Sequence, residues 1–448
     1  MAKNRTKTLT EGDIGGLILE FSWPVFIGMI FNEFYNVTNS IIVGNYVSLK
    51  ALSAVSACTW MCNIFMFLFY GLGMGAGILV ASCIGSNDRE RLKRALDSSL
   101  TFAVIGGILI TIVAEFSLPA LMRLCNIGPD IYDDAFSYMR VYIMGSCAVL
   151  VSQMCFFILR SFGDTKHQLY FSIITSLVNL VLGMILVRIF HLNVLGTAIA
   201  TIISQFLMDV LALRLVMNYD EVNFDIHNID FSFKAITEIC RMGIPAGIQN
   251  MLIAFSSILV QSYVNRFSNE VIAGIGVAEK IGGWAQLLSV SISSATMSLV
   301  AQNLGAGKKE RMKESVKISV RLSSIGTLVL ILLIDLAAPF LVSLFNQNAD
   351  VISYGTSMIR WSIFSMFFIN FSHIYNSACR GAGNVRNPMI IAVFSQVFCK
   401  YIFVRIGLRY FYDVRVLYLG SAFGYVMAGT LATVYFYCSK WAKEIGLR

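Results

Sequence analysis

Charge is sparse in this sequence. Only 13% of its 448 residues are Asp, Glu, Lys or Arg, about half the share of an average soluble domain. Water is therefore excluded as the main solvent of its surface. Proline is also rare, at six residues, so little interrupts long helices. The sequence has four histidines and ten cysteines, but no Cys-x-x-Cys pair or Cys/His cluster has metal-ligand spacing. The cysteines lie mostly inside apolar runs, as Cys58, Cys62, Cys147 and Cys155 do, and read as small packing residues. No nucleophile–base or metal set is visible, which argues against an enzyme and against any cofactor. The glycine-rich run Gly71 to Gly77 has no Lys-Ser/Thr after it. It is not a phosphate loop, and ATP is not the energy source.

Apolar length is abundant instead. Hydrophobic residues make up 57% of the chain, and the mean hydropathy is +0.71. A helix needs roughly 20 apolar residues to cross a bilayer core, and backbone groups in lipid must be satisfied within the chain. Twelve such spans are predicted, at 17–43, 51–84, 96–118, 134–160, 168–190, 194–217, 235–266, 271–304, 314–341, 354–380, 388–411 and 415–438. The fold class is an all-α membrane protein. Gly71/Gly75 and Gly73/Gly77 then fall inside the second span, as small-xxx-small pairs that let helices approach closely. The polar start Met1–Asp13 precedes an apolar run too long for a signal core, so no cleavable signal is expected.

Lys and Arg set the orientation. Twenty-three of them fall on the side that holds both ends of the sequence, and seven on the other. This places both termini in the cytoplasm and the protein in the cell inner (plasma) membrane. The basic segments 85–94 and 305–313 read as solvated connectors. The excess positive charge, +8 overall, suits anionic lipid rather than nucleic acid. The expected partners are a small-molecule substrate and the bilayer, with the chain itself a monomer.

The halves align at an offset of about 220 residues. Ala81-Ser-Cys-Ile-Gly85 matches Ala301-Gln-Asn-Leu-Gly305, and Arg89 to Lys93 matches Lys309 to Lys313. Arg160-Ser-Phe-Gly163-Asp-Thr-Lys166 matches Arg380-Gly-Ala-Gly383-Asn-Val-Arg386, and Pro24 matches Pro245. A near-constant register over more than a hundred residues indicates duplication. The expected organisation is an N-terminal six-helix lobe, 1–217, a cytoplasmic linker, 218–234, and a C-terminal six-helix lobe, 235–448. Each copy has an even number of spans, so the repeats are parallel and related by a pseudo-two-fold axis along the membrane normal. Transporters of this plan hold substrate between the halves and alternate access by rocking them.

Ionisable and polar residues inside spans are costly and therefore informative. Glu115 and Asp335 occupy equivalent positions, as do Arg140 and Arg360. Two duplicated structural ion pairs are expected, Glu115–Arg140 and Asp335–Arg360. Asp209 has Arg214 or water as its expected partner. Glu33 has no counterpart in the second copy, and Asn32, Tyr35, Asn36 and Asn39 surround it. A carboxylate in such a polar wall can load and release a proton, whereas the bland alternative is a fixed partner for Lys280 or Lys400. Glu33, Asn39 and Asn179 are the candidate ion-coupling residues. Tyr35, Asn36, Gln153, Gln249, Asn250, Glu279, Lys280 and Lys400 are the candidate lining of the substrate cavity.

These residues resemble the multidrug and toxic compound extrusion (MATE) family. Phe31-Asn-Glu-Phe-Tyr-Asn-Val-Thr-Asn-Ser-Ile-Ile-Val-Gly44 resembles its first-helix signature, and Ala51-Leu-Ser-Ala-Val55 the start of its second helix. Leu159 to Lys166, Gly196 to Gln205 and Gln302 to Gly307 resemble later segments. The resemblance implies a V-shaped, two-lobed exporter of lipophilic, often cationic compounds in exchange for H+ or Na+. Asn39, Gly183 and Ile253 stand where members of the family carry coupling carboxylates. A lipid-linked oligosaccharide flippase of the same superfamily is the alternative, kept open by Lys280 and Lys400. A channel or receptor is disfavoured by the duplicated halves.

Overall fold

A computed structural model describes residues 8–46, 49–125, 127–220, 222 and 229–446, apart from the side chains of 34–46, 49–52, 54, 56, 60, 124 and 194. The described residues form helices and no strand. The first half contains α1 (Ile14–Tyr46), α2 (Leu49–Ser86), α3 (Arg89–Leu124), α4 (Tyr132–Met144), α5 (Ser146–Ser161), α6 (Lys166–Met184) and α7 (Asn193–Met217). The second contains α8 (Phe233–Val264), α9 (Asn269–Gly305), α10 (Lys309–Ser343), α11 (Ala349–Ser362) and α12 (Ser365–Gly381). It continues with α13 (Arg386–Val393), α14 (Lys400–Tyr410), α15 (Arg415–Cys438) and the short α16 (Lys440–Glu444). A π-helical stretch, Phe394–Cys399, joins α13 to α14 into one span, and another, Ile185–Ile189, extends α6.

Ten of these helical stretches are long and apolar enough to cross a membrane alone. The fourth expected span is instead a bent pair, α4 and α5, which meet at 45° around Gly145 and make an eleventh. α11 and α12 hold the equivalent place in the second copy.

The basic segments 85–94 and 305–313 are mostly helix, with only short turns at 87–88 and 306–308, because α3 starts at Arg89 and α10 at Lys309. Asp88 caps α3, its Oδ1 accepting from the Arg91 amide at 2.9 Å. Glu90 and Glu310 in the first turns offset the cations there, where the helix dipole disfavours positive charge. The turns are tight because Asn87 and Gly307, 220 residues apart, both take positive φ, at 55° and 69°. The duplication recurs in the caps after α5 and α12. Gly163 and Gly383 adopt φ of 79° and 84°. The next amides, of Asp164 and Asn384, return to the Leu159 and Cys379 carbonyls at 2.9 Å in both copies. This is the glycine-dependent ending of a helix.

The chain divides into two compact units. One takes Ile27–Gly247, and the other takes Leu9–Phe26 with the residues from Ile248 onward. α1 and α8 each change unit two residues beyond an internal proline, Pro24 and Pro245.

In the first unit the glycines of α2 use two faces. A Cβ on Gly71 or Gly75 would strike the α8 backbone at Gly247 and Gly243, within 2.6 and 3.0 Å of their nitrogens. One on Gly73 or Gly77 would strike α5 at the Gln153 carbonyl (2.9 Å) or the Phe157 carbonyl (3.0 Å). Around them Phe69, Leu72, Met154 and Phe162 form a buried cluster. In the second unit α9 is central, packing on α10, α11 and α12, with Ile281, Ile331, Ile359 and Tyr418 in its core. The segment before α1 is tied to this unit. The Leu9 amide donates to Gln302 Oε1 at 2.8 Å, and Arg311 Nη2 donates to the Glu11 and Gly12 carbonyls at 2.8 Å each.

Candidate functional site: polar groups inside apolar helices

An apolar solvent makes each buried polar group find a partner within the protein. In the first unit α6 and α7 carry the main set. Asn179, 2% exposed, donates from Nδ2 to Thr201 Oγ1 at 3.3 Å. Thr201, Gln205 and Asp209 follow at four-residue intervals and so share one face of α7. Gln205 Nε2 donates to Ser152 Oγ on α5 and lies one helical turn before Asp209. Asp209 is 5% exposed, and its Oδ1 has no hydrogen-bond partner. The pairing with Arg214 does not form among the described residues, because a spacing of five turns the two side chains to different faces. Gln153 is half-buried beside this group, and Gly183 is buried without a carboxylate.

Arg160 closes the end of α5. It is 6% exposed, donates from Nε to Gln168 Oε1 at 2.9 Å, and sits 4.8 Å over the Phe157 ring. Its repeat counterpart Arg380 donates from Nη2 to Gln249 Oε1 at 2.7 Å. Gln249, 6% exposed, is thereby held by an arginine, and Asn250 is half-buried.

The second unit gathers Lys400 and Glu279. Lys400 is half-buried on α14 with its Cβ close under Gly424, and Glu279 on α9 acts on it electrostatically. Glu279 and Lys280 themselves are exposed. A further network escaped sequence reasoning. Asn370 Oδ1 accepts from Ser289 Oγ at 2.9 Å and from Ser323 Oγ, while Ser289 Oγ lies 3.0 Å from Thr327 Oγ1. Hydroxyls inside apolar runs read as small packing residues, and Asn370 shares α12 with a second buried asparagine, Asn376.

Glu33 lies on α1 and is exposed. The side chains of Tyr35, Asn36 and Asn39 lie outside the described residues. Ile253 is half-buried on α8.

The expected ion pairs differ between the copies. Arg140 Nε lies 2.6 Å from Glu115 Oε1, with the side chains 55% and 29% exposed. Asp335 and Arg360 do not pair among the described residues. Arg360 is exposed near the end of α11, whereas Asp335 Oδ1 is turned into the helix packing without a partner. A double-mutant cycle on Glu115→Gln and Arg140→Ala, read by thermal unfolding in detergent, is expected to give a coupling of about 1 kcal/mol. That is the size for a half-exposed pair. The same cycle on Asp335→Asn and Arg360→Ala is expected to be additive, and coupling there would contradict the geometry.

Known proteins share this fold. The MatE family model matches residues 24–185 and again 245–405, once in each copy. The probable multidrug resistance protein YoeA of Bacillus subtilis is 23% identical over 435 residues, 95% of this chain and 93% of that one. The multidrug export protein MepA of Staphylococcus aureus is 23% identical over 383 residues, covering 84% and 83% of the two chains. Among solved structures, a MATE in the straight conformation superposes with a TM-score of 0.90 at 22% identity, over 99% of both chains. A MOP superfamily transporter from Pyrococcus furiosus, described by the reverse polarity of its binding pocket, gives the same TM-score, identity and coverage.

Proposed function

This chain belongs to the MatE family, whose members are membrane transporters and not enzymes, and from that premise we propose that it exports lipophilic, often cationic small molecules. Export proceeds by alternating access in exchange for a cation, H+ rather than Na+. The observation that carries this reading is the MatE match in both copies, because transporters built from two parallel repeats alternate access between their halves. The prolines of α1 and α8 support it. Each removes a backbone hydrogen bond where its helix changes unit, and such a helix bends there most easily.

Proton coupling is assigned to Glu33, with Asn39 and Asn179 as neutral ligands or relays. A Na+ site wants hard oxygen ligands, with carboxylates among them. Asn39, Gly183 and Ile253 supply no such charge. A second reading places the exchanged proton on Asp209, supported by its burial and by the polar face that leads to it through Thr201 and Gln205. Gln153, Gln249, Asn250, Glu279, Lys280 and Lys400, with Tyr35 and Asn36, are proposed to line the substrate path.

Everted membrane vesicles given a panel of lipophilic cationic dyes test the substrate class. Dye accumulation driven by a pH gradient is the expected result. No dye transport, with movement of a lipid-linked oligosaccharide instead, would replace export by flipping. The orientation is tested by labelling. A cysteine at Ser86, exposed at the end of α2, on a background with Cys125 and Cys438 replaced by Ser, is expected to resist impermeant reagent in intact cells. Labelling there would reverse the proposed cytoplasmic placement of the termini.

A further inference from the structure

We propose that a groove beside the first turns of α10 binds an anionic phospholipid of the surrounding bilayer, through its phosphate and one acyl chain. The groove lies within the second unit and has a volume of about 570 Å³. Lys313, Lys317 and Arg321 form one wall, and Tyr375, Phe436 and Tyr437 the other. The three cations are four residues apart and so stack along one helix face. Lys313 donates to Glu310 Oε1 at 3.1 Å. Lys317 and Arg321 have no acidic partner among the described residues.

The same face continues beyond Arg321 as Ile325, Leu328 and Leu332, at i+4, i+7 and i+11, all exposed. It thus carries cations for roughly 12 Å and apolar side chains for about two turns after them. That order suits an amphiphile with an anionic head at the interface and a chain running along the helix. A soluble anion would engage only the first part. Tyr437, 46% exposed, is of the residue type that settles at headgroup depth.

Comparison of the copies sharpens the case. At the 220-residue offset, Lys317 corresponds to Asp97 and Tyr375 to Cys155. In the first unit that place is covered by the chain itself. The Asp230 amide donates to Asp97 Oδ2 at 3.1 Å and the Ser232 amide to Ser98 Oγ at 2.9 Å. Val222, Ala235 and Ile239 join the buried cluster that holds Cys155. The second copy has exchanged the acid that received backbone amides for a lysine, and its groove is open. The fold therefore builds a cleft here twice, once for a polypeptide and once with the charge to hold a phosphate.

The proposal rests on the membrane setting of the proposed function and not on its coupling, so its test reads lipid rather than transport. The purified full chain in detergent is titrated with phosphatidylglycerol, phosphatidylcholine or inorganic phosphate, followed by native mass spectrometry and thermal unfolding. Phosphatidylglycerol is expected to bind and raise the melting temperature, and the other two are not. The double variant Lys317→Ala/Arg321→Ala is expected to lose affinity by about fivefold per cation, with an unchanged melting temperature without lipid. Lys317→Arg/Arg321→Lys is expected to retain binding. Equal binding of phosphatidylcholine, an equal effect of inorganic phosphate, or undiminished binding by the alanine variant would each overturn the proposal.

Discussion

Glu33→Gln is expected to reduce pH-gradient-driven efflux to the level of vesicles without the protein, while a bound dye is still held. Glutamine keeps the size and hydrogen bonding of the side chain but carries no exchangeable carboxyl proton. An antiporter whose carrier group is permanently neutral has nothing to return across the membrane. Asn39 and Asn179 cannot substitute, because an amide does not titrate in the working range. Efflux in everted vesicles and dye binding by fluorescence anisotropy separate the two effects. If Glu33→Gln pumps normally while Asp209→Asn does not, the proton sits on Asp209. If both pump normally under a pH gradient, neither assignment survives.

Gly71→Val and Gly75→Val are expected to abolish folded protein. The Cβ at either position points at the backbone of α8, with the Gly247 and Gly243 nitrogens at 2.6 and 3.0 Å. Backbone cannot move aside as the tip of a flexible side chain can. Overpacking costs about 1–3 kcal/mol in an ordinary core and more against backbone. A fold of marginal stability does not tolerate such a clash. Gly276→Ala is the control. Its Cβ meets nothing within 4 Å, and alanine favours the helix by up to about 1 kcal/mol. Yield of monodisperse protein on size exclusion, with the melting temperature, distinguishes these outcomes. Folded Gly75→Val with an unchanged melting temperature would refute the close approach of α2 to α8.

Much of the fold was legible because lipid imposes simple rules. Apolar length marked the crossings, and the 220-residue register marked the duplication, down to the paired caps at Gly163 and Gly383. Helix ends were less legible. Arg89–Arg94 and Lys309–Lys313 read as loop because charge is depleted inside spans, yet a helix can project past the bilayer with its cations in water. The bend at Gly145 was hidden in a continuous apolar run. Equivalent positions suggested equivalent pairs, but a long arginine side chain at a helix end has more than one place to go, and Arg360 takes another than Arg140 does. The site was legible only in part. Glu33, Asn179, Gln249 and Lys400 stand out as polar letters in apolar text. The partners of Gln249 and Asn370 depend on which helix faces meet, and a single sequence does not carry that information.

The central claim is that this MatE-family chain drives export with protons alone, and purified protein in sealed liposomes tests it most directly. The liposomes contain a lipophilic cationic dye, and a pH gradient is imposed in Na+-free buffer. The account predicts dye movement against its gradient, accompanied by proton flux in the opposite direction and abolished by a protonophore. Dye that stays in place under the pH gradient, but moves when a Na+ gradient is imposed at constant pH, would contradict it.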